Sequence, residues 1–137
     1  MAIERSYAAY TRLKFDRPHA AVLRITLDNG KMNSADSVMH GELARIWSDL
    51  DSDGSVNSVI ITGAGSNFSS GGDFSLVEEL HNDHDARARG WREARDIVYG
   101  VINCSKPVVS AMRGSWMMLM VKYIRPGLGS LYQALPV

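Results

Sequence analysis

The spacing of apolar residues changes period twice between Thr11 and Thr62, and this constrains the fold more than any other feature of the chain. From Thr11 to Leu27 the period is two. Leu13 and Phe15 alternate with Arg12 and Lys14, and Leu23, Ile25 and Leu27 alternate with Arg24 and Thr26. Asp16, Arg17, Pro18 and His19 supply turn chemistry between the two runs, so the segment reads as a β-hairpin with one apolar face. Asp28, Asn29 and Gly30 stop the second strand. After Asn33 the period becomes helical: Met39, Leu43, Ile46, Trp47 and Leu50 form one stripe. Asn33 or Ser34 is the expected cap, Asp36 falls in the first turn, and Gly54 is the expected left-handed terminator after Asp51, Ser52 and Asp53. Val56 to Thr62 is then a short β-branched run of the kind buried on both faces. Strand, helix and strand at this spacing make a βαβ crossover, which places the third strand parallel to one strand of the hairpin.

A second helical pattern runs from about Asp85 to Ile102, with Trp91, Ala94, Val98, Val101 and Ile102 on one side. Arg87, Arg89, Arg92, Glu93 and Asp96 occupy the other side, which reads as a solvated face. Lys106 and Pro107 break this helix, and Val108 to Met112 reads as another strand with proline at its entry. After Gly114 the texture changes: three of the seven Met residues crowd into positions 117–120, with no clean amphipathic period. The organisation expected is therefore an α/β core over residues 1–114 and a divergent C-terminal segment over residues 115–137.

Fifteen Lys and Arg balance fifteen Asp and Glu, so no net field draws nucleic acid or an anionic membrane. Cys104 is the one cysteine, which excludes an intrachain disulfide and a Cys-rich zinc module. The longest apolar stretch, Trp116 to Val121, is far short of a membrane span, and Glu4 stands where a secretory leader has an apolar run. A cytoplasmic protein is expected.

The segment with most chemical content is Gly63 to Phe74, which follows the buried strand directly. Gly71 and Gly72 allow positive φ and close approach of backbone to a ligand, and Asp73 can cap a helix beginning near Phe74. Amides at such a bend point into one space and stabilise an anion, either a phosphate or the oxyanion of a polarised carbonyl; the same composition also makes a plain Gly-rich turn. No Gly-Lys-Ser/Thr follows, and the spacing is not that of a dinucleotide fingerprint.

Four pieces, in order, resemble the crotonase superfamily of enoyl-CoA hydratases and isomerases. Leu23 to Asp28, then Met32-Asn33 opening a helix that contains Glu42-Leu43, is similar to the first strand-and-helix signature of that family. Val59 to Phe74 resembles its strand followed by a Ser/Ala-Gly-x-Asp loop, and Lys106 to Gly114 its strand entering the second half of the active site. The resemblance covers about residues 8 to 114 and implies a crotonase-like ββα spiral, here incomplete, that assembles as trimers or dimers of trimers. It implies an acyl-CoA thioester as ligand, with hydration of a 2-enoyl-CoA in fatty acid metabolism as the foremost reaction. Coenzyme A enters as part of the substrate, so no separate cofactor and no metal are expected.

By position, the resemblance makes Gly72 a backbone donor to the oxyanion hole, with Ser70, Gly71, Asp73 and Phe74 lining the CoA side. Lys31 and Met32 match positions that approach the nucleotide and pantetheine; Lys31 reads equally as an exposed turn lysine. After Gly114 the chain departs from the family pattern. Leu119 falls where a second donor glycine is expected, and Lys122 where many hydratases carry a catalytic Glu. Such a jump resembles a frameshifted or truncated reading, so the alternative expectation is a catalytically incompetent fragment with weak or no CoA binding. A small α/β interaction domain without a ligand is the remaining class.

Other candidates have plainer readings. His81, Asp83, His84 and Asp85 lack a metal-ligand spacing and read as a solvated connector. Glu78 and Glu79 read as helix-surface acids, Cys104 as a small buried side chain, and His40 as a packing residue.

Overall fold

The computed structural model describes residues 7–114. β1 (Leu13–His19), β2 (Val22–Leu27), α1 (Ser37–Ser52), β3 (Ser58–Gly63), α2 (Phe74–Asn82), α3 (His84–Asn103) and β4 (Val108–Ala111) follow in that order. The strands form one sheet in the order β1-β2-β3-β4. β1 and β2 are antiparallel, while β3 runs parallel to both β2 and β4. The crossover read from the changing period is therefore β2-α1-β3, with Leu23 opposite Val59 and Leu27 opposite Gly63.

Alternation places Leu13, Leu23, Ile25 and Leu27 on the face covered by α1, and Val59 and Ile61 of β3 continue that face. The α1 stripe of Met39, Leu43, Ile46, Trp47 and Leu50 packs on it, and every one of these side chains is buried. Tyr10, Val56 and Ile97 of α3 complete the core.

Four local expectations are corrected. Asp16–His19 is not the hairpin turn; it lies in β1, where the register shifts in a bulge, and the chain reverses at Ala20 and Ala21. Turn chemistry and bulge chemistry use the same residues, and Pro18 is tolerated because β1 is an edge strand. Neither Asn33 nor Ser34 caps α1: the cap is Asp36, whose side chain accepts the Met39 amide at 2.8 Å. Gly54 is not a left-handed terminator, since α1 ends at an extended Asp53 whose amide returns to the Leu50 carbonyl.

The fourth correction concerns α3, whose buried residues are Ala86, Gly90 and Ile97. Trp91, Val98 and Ile102, expected on the packed side, are exposed, Trp91 to 74%. The helix instead approaches α1 and α2 through glycine: a β-carbon on Gly100 would run into the Trp47 indole, and one on Gly90 into Leu80. A periodicity search weights bulky residues and overlooks a contact made by their absence. Glu93 is also displaced from the supposed solvated face, because it meets His40 of α1 at 2.7 Å.

Buried acids hold the ends of the elements. Glu42, on α1, accepts from the amides of Thr11, Arg12 and Leu13 at 2.6, 2.9 and 3.0 Å, and from the Thr11 hydroxyl. It thereby satisfies the donors at the entry to β1. Asp53 has no solvent exposure. Burial opposes its ionisation, yet the Ser55 and Tyr7 hydroxyls, the Ser55 amide and Arg17 hold its carboxyl below the usual range.

Glu42→Ala leaves three amides at a partly buried strand entry without their acceptor, and the expected cost is about 2–4 kcal/mol. Gly100→Val forces the Trp47 indole to shift and is expected to cost about 1–3 kcal/mol. A β-carbon at Gly54 meets nothing within 4 Å, so Gly54→Ala serves as the control with a change below about 0.5 kcal/mol. Urea denaturation of the three variants beside the parent chain checks all three values.

Candidate functional site

Two connections meet at the ends of the parallel strands: the β2-α1 turn, residues 28–36, and the β3-α2 loop, residues 64–73. The first is held in an unusual shape. Gly30 is left-handed, and so are Met32 and Asn33, with φ of 53° and 55°, the two non-glycine residues of this kind among those described. Asparagine tolerates that conformation; methionine does so only under constraint. Asn29 supplies part of the constraint, accepting the Lys31 amide at 2.8 Å and donating to the Ser34 carbonyl and hydroxyl.

The second connection is stitched to the first. The buried Asn33 amide group donates to the Ala64 and Asn67 carbonyls at 2.9 and 2.8 Å, and the Ser69 hydroxyl returns a bond to the Asn33 carbonyl. The Ser70 amide donates to Met32, the Ala35 amide to Gly71, and the Asp73 amide to Ala35. The last two bonds form an isolated parallel bridge between Ala35 and Gly72. In a parallel ladder the residue facing the doubly bonded partner turns its own N–H and C=O away from it. Gly72 is that residue. Of the consecutive amides from Ser70 to Asp73, those of Ser70, Gly71 and Asp73 find Met32, Ser69 and Ala35. Among the described residues the Gly72 amide has no acceptor, and neither has that of Phe74, the first residue of α2.

Glycine does two different things here. Gly71 takes φ of 95°, which a side chain resists. Gly72 is exposed and has open space where a β-carbon would lie, so its lack of a side chain leaves the approach to its amide clear. Asp73 caps α2 as the sequence indicates, accepting the Ser75 amide at 3.0 Å. The Ser75 hydroxyl, the Ser75 amide and the Ser34 hydroxyl together bring the Asp73 carboxyl down to about 2.

The structure thus brings Met32, Ser70, Gly71, Gly72 and Asp73 into one stitched unit. Phe74 stands 90% exposed at the start of α2, and Met32 is 53% exposed on the facing turn. Lys31 is exposed on the same turn and its charge favours the ionised Asp73. Leu119 and Lys122 lie outside the described residues, as does the whole segment 115–137.

Asn33 and Ser34 escaped the sequence reading, which gave them the role of helix cap. The signal available was the chain of small polar residues on both sides of the positive-φ turn. Other candidates have structural employment: Asp83 caps α3, accepting the Asp85 and Ala86 amides, and Glu79 pairs with Arg89. Among the described residues no group of His, Cys, Asp and Glu is arranged to hold a metal ion. Cys104 is only partly buried; burial pushes its thiol up, and it lies beside Asp51. A hollow of about 440 Å³ between Tyr7, Tyr10, Phe15 and Arg17 lies on the β1 side, lined by none of the loop residues.

Sequence comparison matches the enoyl-CoA hydratase/isomerase family over residues 17–117, and the chain belongs to that family. Among solved structures, an enoyl-CoA hydratase/isomerase from Mycobacterium paratuberculosis is 41% identical, with a TM-score of 0.72 over 76% of this chain and 42% of the other. An enoyl-CoA hydratase/isomerase from Xanthobacter autotrophicus Py2 is 33% identical, with a TM-score of 0.64 over 77% and 40%. A monofunctional enoyl CoA isomerase from M. smegmatis is 28% identical, with a TM-score of 0.56 over 74% and 41%. No curated protein matches. The chain spans less than half the length of these solved relatives, and its mixed α/β fold corresponds to part of the crotonase-like spiral. Among the described residues no helix is long and apolar enough to cross a membrane.

Because its native value lies below that of an unfolded chain, Asp73 stabilises the fold fully above about pH 4, and the contribution is lost as pH falls through about 2. Replacing it by Asn removes this titration. Acid unfolding monitored by circular dichroism is expected to show a flatter response between about pH 4 and 2 for Asp73→Asn than for the parent chain.

Proposed function

We propose that this chain binds an acyl-CoA thioester and that Gly72 supplies one backbone donor to its carbonyl oxygen. The observation that carries the proposal is the direction of the Gly72 amide: exposed, without an acceptor among the described residues, and turned outward by the bridge to Ala35. A fixed amide gains nothing from a neutral carbonyl that it would not gain from water. It gains much more when charge develops on that oxygen, because its dipole is already oriented. The chemistry this serves is formation of an enolate-like thioester, and hydration of a 2-enoyl-CoA is the reaction of first choice. Removing one such donor typically costs about 10²–10³ in rate.

Ser70, Gly71, Asp73 and Phe74 would line the thioester and CoA side, and Lys31 and Met32 the approach of the nucleotide and pantetheine. A lysine at the lip of such a slot attracts phosphate as a point charge. Coenzyme A arrives with the substrate, and the assembly would be a homo-oligomer, a trimer or a dimer of trimers.

A second reading is binding without turnover. Its support is that two acids beside the loop are occupied: Asp73 caps α2 and accepts from Ser34, and Glu79 pairs with Arg89. A hydratase needs an acid or base free to move a proton between water and the α-carbon.

Calorimetric titration with a non-hydrolysable acyl-CoA analogue, and with free CoA beside it, is the test. The analogue is expected to bind more tightly than CoA. Gly72→Pro, which deletes the donor, should abolish that preference. Equal affinities for the two ligands would remove the proposal. Loss of 2-enoyl-CoA absorbance on adding the protein separates turnover from binding alone.

A further inference from the structure

We infer that Asn33 is the positioning residue for the Gly72 amide: its side chain fastens the β3-α2 loop to the β2-α1 turn, and that fastening aims the amide. The inference rests on the acyl-CoA reading above and adds to it a residue that makes no contact with the ligand. Asn33 is buried, and its Nδ2 divides its two hydrogens between carbonyls at each end of one loop segment, Ala64 and Asn67. Its own carbonyl accepts from Ser69, and the Ser69 hydroxyl in turn accepts the Gly71 amide at 3.2 Å. Asn33 therefore holds the loop twice: its side chain at the Ala64–Asn67 end, and its backbone carbonyl, through the Ser69 hydroxyl, at the residue before Gly72.

The other supports lie at the far end of the loop: the two backbone bonds of the Ala35–Gly72 bridge, both to neighbours of Gly72, the Ser70 amide on the Met32 carbonyl and the Ser34 hydroxyl on the Asp73 carboxyl. The turn that carries Ala35 contains Met32 in a conformation that methionine resists, so it needs an external brace to persist. Asn33 supplies that brace, bonded to the loop twice through its side chain and once through its backbone carbonyl. Without its side chain the Ala64–Asn67 end of the loop loses both of its bonds to the turn, and the register at Gly72 rests on the bonds at the other end alone. A small change of angle at Gly72 then suffices to miss a carbonyl oxygen, because hydrogen-bond strength falls steeply with misalignment.

Two variants test this. Asn33→Gly keeps the left-handed backbone and deletes the side chain, while Asn33→Asp keeps the shape and replaces both donors by acceptors that face two carbonyls. Gly100→Val, weakened at a distant helix contact, is the control for loss of stability alone. Free CoA should bind both Asn33 variants much as it binds the parent chain, whereas the preference for the acyl-CoA analogue falls about tenfold or more; Gly100→Val should keep the preference.

Amide hydrogen exchange of the ligand-free protein gives a second readout. Exchange at Ala35 and Asp73 should rise about tenfold or more relative to Ile60 and Ile61 of β3. Unchanged relative exchange at Ala35 and Asp73 would overturn the inference, as would a preference retained in the Asn33 variants when the parent chain has one. A parent chain with no preference would instead sink the acyl-CoA reading, and exchange alone would then decide whether Asn33 holds the loop.

Discussion

Two backbone carbonyls, those of Ala64 and Asn67, turn toward the single side-chain amide of Asn33, and the arrangement of the site follows from that. A loop leaving the end of a buried parallel strand must place its polar groups without the help of a sheet neighbour. Here one buried amide takes both carbonyls, and a serine hydroxyl joins the Asn33 carbonyl to the next amide along. The loop and the turn behave as one body, so the amide left over at Gly72 has a defined direction. Under the proposed acyl-CoA reading, preorganisation of this kind would separate the Gly72 amide from an ordinary exposed one.

Acidic side chains do comparable work elsewhere. Glu42 closes the entry to β1, Asp36, Asp73 and Asp83 cap the three helices, and Asp53 gathers Tyr7, Ser55 and Arg17 at the end of α1. Each places a carboxyl oxygen on donors that would otherwise lack partners. The balanced charge of the chain therefore conceals a division of labour. Many acids are structural, and several arginines lie on the outer surface of α3.

Family membership and extent carry different weight. The chain shares sequence and fold with enoyl-CoA hydratases and isomerases over most of its own length, yet spans less than half of theirs. The stretch matched to the family, residues 17–117, takes in β3, the glycine-rich loop and the helix that Asp73 caps. The exposed Trp91, Val98 and Ile102 on α3 also become intelligible in part: that helix packs inward through Ala86, Gly90 and Gly100, leaving its larger apolar residues outside.

The sequence by itself determined the order of the elements, the antiparallel pair, the parallel crossover, the α1 stripe, the Asp73 cap and the glycine-rich loop. These follow from interactions among near neighbours in the chain: alternation along a strand, one face of a helix, a cap within one turn. The tertiary structure alone decided that Asp16–His19 is a bulge, that Asp36 and not Asn33 caps α1, and that α3 packs on its glycines. It also joined Asn33 to Ala64 and Asn67, and Glu42 to the entry of β1. Those contacts join residues about thirty positions apart, whose partners are chosen by how the layers pack and not by local spacing.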